Sequence, residues 1–131
     1  MADRFEINEP SYRLVFESEN GLVGRDLNQR ALRVQEAARA QVGVRTGELQ
    51  RSIKRTWTRR NGKTLSVSVG SNARHAAVHH EGSEPHVIRA RYAKALRYEG
   101  NGGEIVFAKA VNHPGTDPNR YLTDNLRLAV R

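Results

Sequence analysis

Five histidines, His75, His79, His80, His86 and His113, are the side chains best suited to metal chemistry. His75 and His79 stand four apart and would share one face of a helix, a spacing that zinc sites use. The zinc-protease pattern also needs a glutamate directly after the first histidine, and Ala76 stands there instead. A third ligand from His80, His86 or His113 would have to come from folding alone. Hydrogen-bonded surface or interface histidines therefore fit better than a metal centre. Hydrolytic chemistry finds less support. None of Ser52, Ser66 and Ser71 lies in a Gly-x-Ser-x-Gly elbow. Glu81, Glu84 and Glu99 are scattered among basic residues. Gly100-Asn101-Gly102-Gly103 lacks the lysine and hydroxyl of a phosphate loop and reads as a turn. No motif joins a nucleophile, a base and an orienting group. The expectation is a protein that is not an enzyme, with no catalytic residue, no cofactor and no metal.

Nucleic acid is the stronger chemical candidate. The formal net charge is +8 and the isoelectric point lies near 10.6. The charge is uneven. Residues 1 to 20 carry Asp3, Glu6, Glu9, Glu17 and Glu19 against Arg4 and Arg13, and the rest is rich in arginine. One basic group is Arg25, Arg30, Arg33, Arg39 and Arg45. A second is Arg51, Lys54, Arg55, Arg59, Arg60 and Lys63. A third is His86, Arg89, Arg91, Lys94 and Arg97. Such groups contact phosphate without reading sequence. Trp57, between Arg55 and Arg59, could stack on a base, but a tryptophan is more often a sheet-face or core residue. No helix-turn-helix, zinc finger or RNA-binding aromatic signature is present. A small basic nucleic-acid-binding protein of phage or bacterial origin is thus one reading.

These side chains need elements to hold them. A chain of 131 residues suits one modest core. Apolar residues make up 37% and the mean hydropathy is −0.70, so much of the surface is polar. The absence of cysteine rules out disulfides and thiolate metal sites and fits a reducing cytoplasm. The first residues lack the pattern of a signal peptide, and no run is long enough to span a bilayer. A soluble chain made in a cytoplasm is expected. Residues 1 to 10 read as an arm and 11 to 18 as a strand, because Tyr12, Leu14, Val15 and Phe16 favour extended backbone. Leu27, Ala31, Val34, Ala38 and Val42 recur at steps of three and four and predict a helix from Gly24 or Arg25 to Val42. Thr46 is placed to cap a short helix carrying Leu49 and Ile53. Lys54 to Arg60 and Lys63 to Gly70 read as a hairpin about Asn61-Gly62. His75 to Glu81 reads as a helical turn or a short strand. Val87-Ile88, Ala95 to Tyr98, and Glu104 to Val111 read as strands. Asp117-Pro118 would open a last helix bearing Tyr121, Leu122, Leu126, Ala129 and Val130. The fold class is α+β, a long N-terminal helix and a C-terminal helix on a mostly antiparallel sheet. The expected division is an N-terminal arm and strand over 1–23 and a single α+β domain over 24–131.

Three short pieces occur in a meaningful order. Thr46-Gly47-Glu48-Leu49 with Ser52-Ile53 follows the long helix. His75-Ala76-Ala77-Val78-His79-His80-Glu81-Gly82-Ser83 leads into Pro85-His86-Val87-Ile88-Arg89. His113-Pro114-Gly115-Thr116-Asp117-Pro118 comes last, with Tyr121-Leu122. As a set they resemble the head–tail connector and tail-completion proteins of long-tailed double-stranded-DNA phages, the minor tail protein Z and HK97-like connector family, in its actinobacteriophage form. The resemblance covers residues 24 to 131. This chain departs from the pattern at His75, where the family has an aromatic residue. Ser83 stands for threonine, Ala90 for proline and Tyr121 for phenylalanine.

The resemblance implies a virion structural protein of the head–tail junction, or neck, assembled in the host cytoplasm. It implies a homo-oligomeric ring, six-fold or matched to a twelve-fold portal. The neighbours would be the adaptor, the stopper or tail terminator, and the tail tube. Thr46, Gly47, Leu49, Ser52, Glu81, Gly82, Pro114, Gly115, Tyr121 and Leu122 would be structural motif residues. Thr46 and Gly47 would fix the corner after the long helix, and Pro114-Gly115 would turn the chain. Arg89, Arg91, Lys94 and Arg97 are the expected residues facing the ring lumen, where packaged DNA or an acidic neighbour passes.

Overall fold

The computed structural model describes residues 3–130. In chain order the elements are α1 (Glu9–Tyr12), a π-helical turn (Arg13–Glu17), α2 (Leu22–Gln41), α3 (Glu48–Ser52), β1 (Lys54–Arg60), β2 (Thr64–Gly70), α4 (Ala76–Glu81), β3 (His86–Arg89), β4 (Leu96–Glu99), β5 (Ile105–Ala108), β6 (Ala110–His113) and a 3₁₀ turn (Leu126–Ala129). The class is α+β, with a long N-terminal helix and antiparallel strand pairs. The chain folds into two compact units. One holds the residues up to Ala76 together with those from Arg120 on, and the other is Ala77–Asn119.

The first unit contains the core. Helix α2 spans 20 residues and buries Ala31, Val34 and Ala38, the middle of the expected stripe, together with Gln35. Ala38, Val42, Leu49, Ile53, Ala76 and Tyr121 form one buried cluster, with Val69, Ala73 and Leu122 packed against it. The hairpin β1–β2 pairs Trp57 with Val67 and Arg59 with Leu65. Asn61 and Gly62 take positive φ of 53° and 70°, and Lys63 N closes the turn on Arg60 O at 3.1 Å. The right-handed twist of two paired strands favours such a left-handed pair. Leu65 is buried, and Trp57, Val67 and Val69 are half-buried on the same face as the alternation predicts. Trp57 is therefore a sheet-face residue.

The segment expected to be a strand is helical. Asn8 accepts the Ser11 amide on its side chain at 3.1 Å, and Pro10 sits in the first turn with its φ already set for helix. Tyr12 and Phe16 then pack with ring centres 4.9 Å apart and planes tilted by 37°. A capped start and an aromatic pair four apart outweigh the extended preference of Leu14 and Val15.

The expected C-terminal helix is also absent. Residues after Arg120 make one turn, Asp124 N to Arg120 O at 2.9 Å, and then tighten to the short 3₁₀ turn. The cause is Asn125, which is buried. Its side chain donates to Tyr121 O at 2.7 Å and to Gln41 Oε1 at 2.8 Å. It thus takes the carbonyl that a continuing helix would give to its own backbone amide. The segment is held to α2 by polar bonds. Arg30 reaches Ala129 O and Arg33 reaches Leu128 O, both at 3.0 Å.

In the second unit the expected run Glu104 to Val111 breaks at Lys109 into β5 and β6. β5 pairs with β4 and β6 with β3, all antiparallel. The single sheet foreseen from sequence is instead three separate two-stranded pairs.

Candidate functional site

The motif residues gather in two places, one in each unit. In the first, the chain leaves α2 and turns at Thr46-Gly47. Gly47, with φ of 79°, is the residue that starts α3. The expected cap falls one residue late: Thr46 Oγ1 accepts from Glu48 N at 3.3 Å, from outside the helix. Leu49 is buried in the core cluster. Ser52 hydroxyl donates to Leu49 O at 2.6 Å and meets the Ser71 hydroxyl at 2.5 Å, joining α3 to the end of β2. Ile53 is fully buried, and its carbonyl receives Gln35 at 3.0 Å and Arg39 at 2.7 Å. This motif is a packed corner.

In the second unit two stretches more than thirty residues apart in sequence meet. Ser83 N donates to Thr116 O and Thr116 N to Ser83 O, both at 2.9 Å. Gly82 has φ of 78°, and a β-carbon there would lie 2.6 Å from Thr116 O. Gly115 has φ of 90°, and a β-carbon there would collide with Ser83 O. Both backbones need glycine for conformation and for room. The Glu81-Gly82-Ser83 and Pro114-Gly115-Thr116 motifs are thus the two sides of one backbone bridge. Pro114 and Glu81 are exposed beside it.

The histidines do not converge. His79 Nε2 lies 3.5 Å from Asn119 Nδ2. His80 Nδ1 donates to Glu81 at 2.7 Å. His86 and His113 stack at 4.8 Å across the β3–β6 pair. His86 Nδ1 donates to Glu84 O, and His113 Nδ1 accepts from Gly115 N. Among the described residues no group of three metal ligands forms. No helix of the described residues is long and apolar enough to cross a membrane.

The three basic groups differ sharply. On α2, Arg25, Arg30, Arg33 and Arg39 donate to backbone carbonyls, respectively of Asn20, Ala129, Leu128 and Ile53. In the hairpin group, Arg51 donates to Thr46 O, Arg55 to Gln35 Oε1 at 2.6 Å, and Arg59 to Glu17 O at 2.7 Å. The sequence showed these arginines as charge, and the fold uses them as straps. Arg45, Lys54, Arg60 and Lys63 of these two groups are exposed and, among the described residues, make no side-chain hydrogen bond or ion pair, and in the third group this holds for every arginine and lysine. Arg89, Arg91, Lys94 and Arg97 are exposed, and among the described residues none of their side chains makes a hydrogen bond or ion pair.

The unit that carries this group has almost no interior. Within Ala77–Asn119 the one buried residue is His80. Val78, Val87, Ile88, Tyr92, Tyr98, Ile105 and Phe107 are all exposed there. Sequence reasoning missed this surface, because a Val-Ile or Ile-Val-Phe strand reads as half-buried until its partners are known.

A family model described as "Bacteriophage HK97-gp10, putative tail-component" matches residues 22–96, more than half of the chain. The match opens with α2 and runs through the Thr46 corner and the Glu81-Gly82-Ser83 stretch to the first residue of β4. No curated protein and no solved structure matches the chain. The chain belongs to the HK97-gp10-like family of phage tail components, structural proteins of the virion.

Proposed function

We propose that this protein is a neck subunit of a long-tailed phage. It forms a head–tail connector or tail-completion ring at the head–tail junction and acts without catalysing a reaction. Its neighbours are the adaptor, the stopper or tail terminator, and the tail tube. The observation that carries this reading is the second unit: seven large apolar side chains exposed over 43 residues that bury only His80. Large apolar side chains exposed at this density on a unit without a core of its own mark contact with another protein. Two-stranded pairs are also marginal alone, and their open edges invite pairing. A ring, six-fold or matching a twelve-fold portal, supplies such a partner on both sides of every copy.

The unpaired group Arg89, Arg91, Lys94 and Arg97 faces an anionic neighbour, packaged DNA in the lumen or an acidic protein surface. It also favours a second reading, a non-specific nucleic-acid binder. Electron microscopy of purified heads or tails mixed with this chain separates the two. Density at the joint is expected. A chain that stays free of heads and tails but holds DNA oligomers at moderate salt would favour the second reading.

A further inference from the structure

The first unit has a groove of about 610 Å³ between the N-terminal helical segment and β2. Ile7, Tyr12, Phe16, Val23 and Leu65 line it. Ile7, Tyr12 and Phe16 are substantially exposed, so the groove offers uncovered apolar side chains within a mixed polar and apolar lining. Glu9 and Glu17 also line it, against Lys63, with Glu9 3.9 Å from the exposed Arg13. The whole stretch 3–20 has five acidic residues against two arginines.

The reverse composition occurs in the bend between β3 and β4. Tyr92 is fully exposed, the most open large hydrophobic side chain among the described residues. Arg89, Arg91, Lys94 and Arg97 surround it in sequence, with no acid between them. An aromatic at the tip of a cationic bend matches a groove that presents Ile7, Tyr12 and Phe16 beside Glu9 and Glu17. Tyrosine and arginine are the residues that most often anchor interfaces.

We infer that the Tyr92 bend of one copy seats in the groove formed by the N-terminal helical segment and β2 of the next copy. This rests on the ring reading and names its subunit contact. Knob and groove are different surfaces, so the contact is heterologous. A heterologous contact whose rotation divides a full turn closes a ring, and one whose rotation does not gives an open filament. A bare charge run would serve DNA equally well. The exposed aromatic, together with an uncovered groove on the same chain that offers apolar side chains and two acids, favours protein as the partner.

The test is a photo-cross-link. Tyr92 is replaced by benzoylphenylalanine in an equal mixture of unlabelled and ¹⁵N-labelled chains, free and with heads or tails. Mixed-isotope cross-links to peptides containing Tyr12 or Phe16 are expected. Tyr92→Ala, on an open bend where the fold does not depend on it, should weaken self-association by about tenfold to thirtyfold, as loss of an aromatic anchor does. Charge reversal gives an independent measure. Arg91→Glu alone and Glu9→Lys alone should each weaken assembly. A one-to-one mixture of the two variants should assemble again, because alternating copies restore every opposite pair. Rings that form without this cross-link, or cross-links confined to one isotope, overturn the inference and leave the ring reading standing. No association at any concentration, with or without heads and tails, overturns both. If Arg91→Glu abolishes DNA binding and leaves self-association unchanged, the bend serves DNA and the inference fails.

Discussion

Two glycines show what the motif residues do one at a time. Gly82 and Gly115 face each other across the Ser83–Thr116 bridge with positive φ. Gly82→Ala and Gly115→Ala should each destabilise the fold by about 1–3 kcal/mol, from left-handed strain and the lost approach. Thermal unfolding followed by circular dichroism reads this directly, and an unchanged midpoint would contradict it. Tyr121 is the second case. It is buried, and its hydroxyl donates to Ala76 O at 3.0 Å. Burial raises its pKa above the usual tyrosine value. The unfolded chain therefore ionises first. The stabilisation is full below about pH 10 and is lost as pH rises through the folded value. Tyr121→Phe should cost about 1 kcal/mol near neutrality and flatten the alkaline loss of stability. Denaturant titrations at pH 7, 9 and 10.5 measure both effects.

Among the elements, α2 is the organiser, and two of its glutamines bridge to distant segments. Gln35 is buried and bridges Ile53 O to Arg55. Gln41 holds Asn125 and Asp124 of the C-terminal segment. The apolar stripe was legible from spacing, but these polar bridges were not, because spacing carries no information about a distant carbonyl. Asn125 decides the form of the last segment by bonding Tyr121 O and Gln41 together. Asn125→Ala leaves Gln41 Oε1 without that donor and should cost about 1–3 kcal/mol. Urea unfolding gives the value. The same variant frees the Tyr121 carbonyl, so helical circular dichroism should hold or rise slightly while stability falls. A parallel loss of helix would show that Asn125 supports the turn rather than limiting it.

For the whole molecule, the contrast between the units predicts their dynamics. The first has a contiguous buried cluster, and the second buries His80 alone. Local opening is easiest where few apolar contacts must be broken. In hydrogen exchange of the free protein, amides of β3 to β6 should exchange well before those of α2, β1 and β2. They should gain protection on assembly into particles. Uniform protection throughout the free chain would show that the second unit needs no partner. The division of charge acts on the same scale: acids collect in the first twenty residues and unpaired cations in the β3–β4 bend. Self-association through these surfaces weakens as salt rises.

Short-range signals along the chain account for α2, the hairpin and the family resemblance. The three- and four-residue spacing set α2, Asn61-Gly62 set the hairpin, and the ordered motifs pointed to the phage connector resemblance. These signals are short-range, so they are readable along the chain. Tertiary structure alone decided which polar groups meet. It shortened the last helix at Asn125 and divided one sheet into three pairs, whereas the helix in place of the strand foreseen at residues 11 to 18 follows from the local Asn8 cap, Pro10 and the Tyr12–Phe16 pair. Tertiary structure also bound the arginines of α2 to carbonyls and left Arg89, Arg91, Lys94 and Arg97 open. A hydrogen bond between residues a hundred positions apart depends on where the folded backbone brings its acceptor, and no local pattern encodes that place.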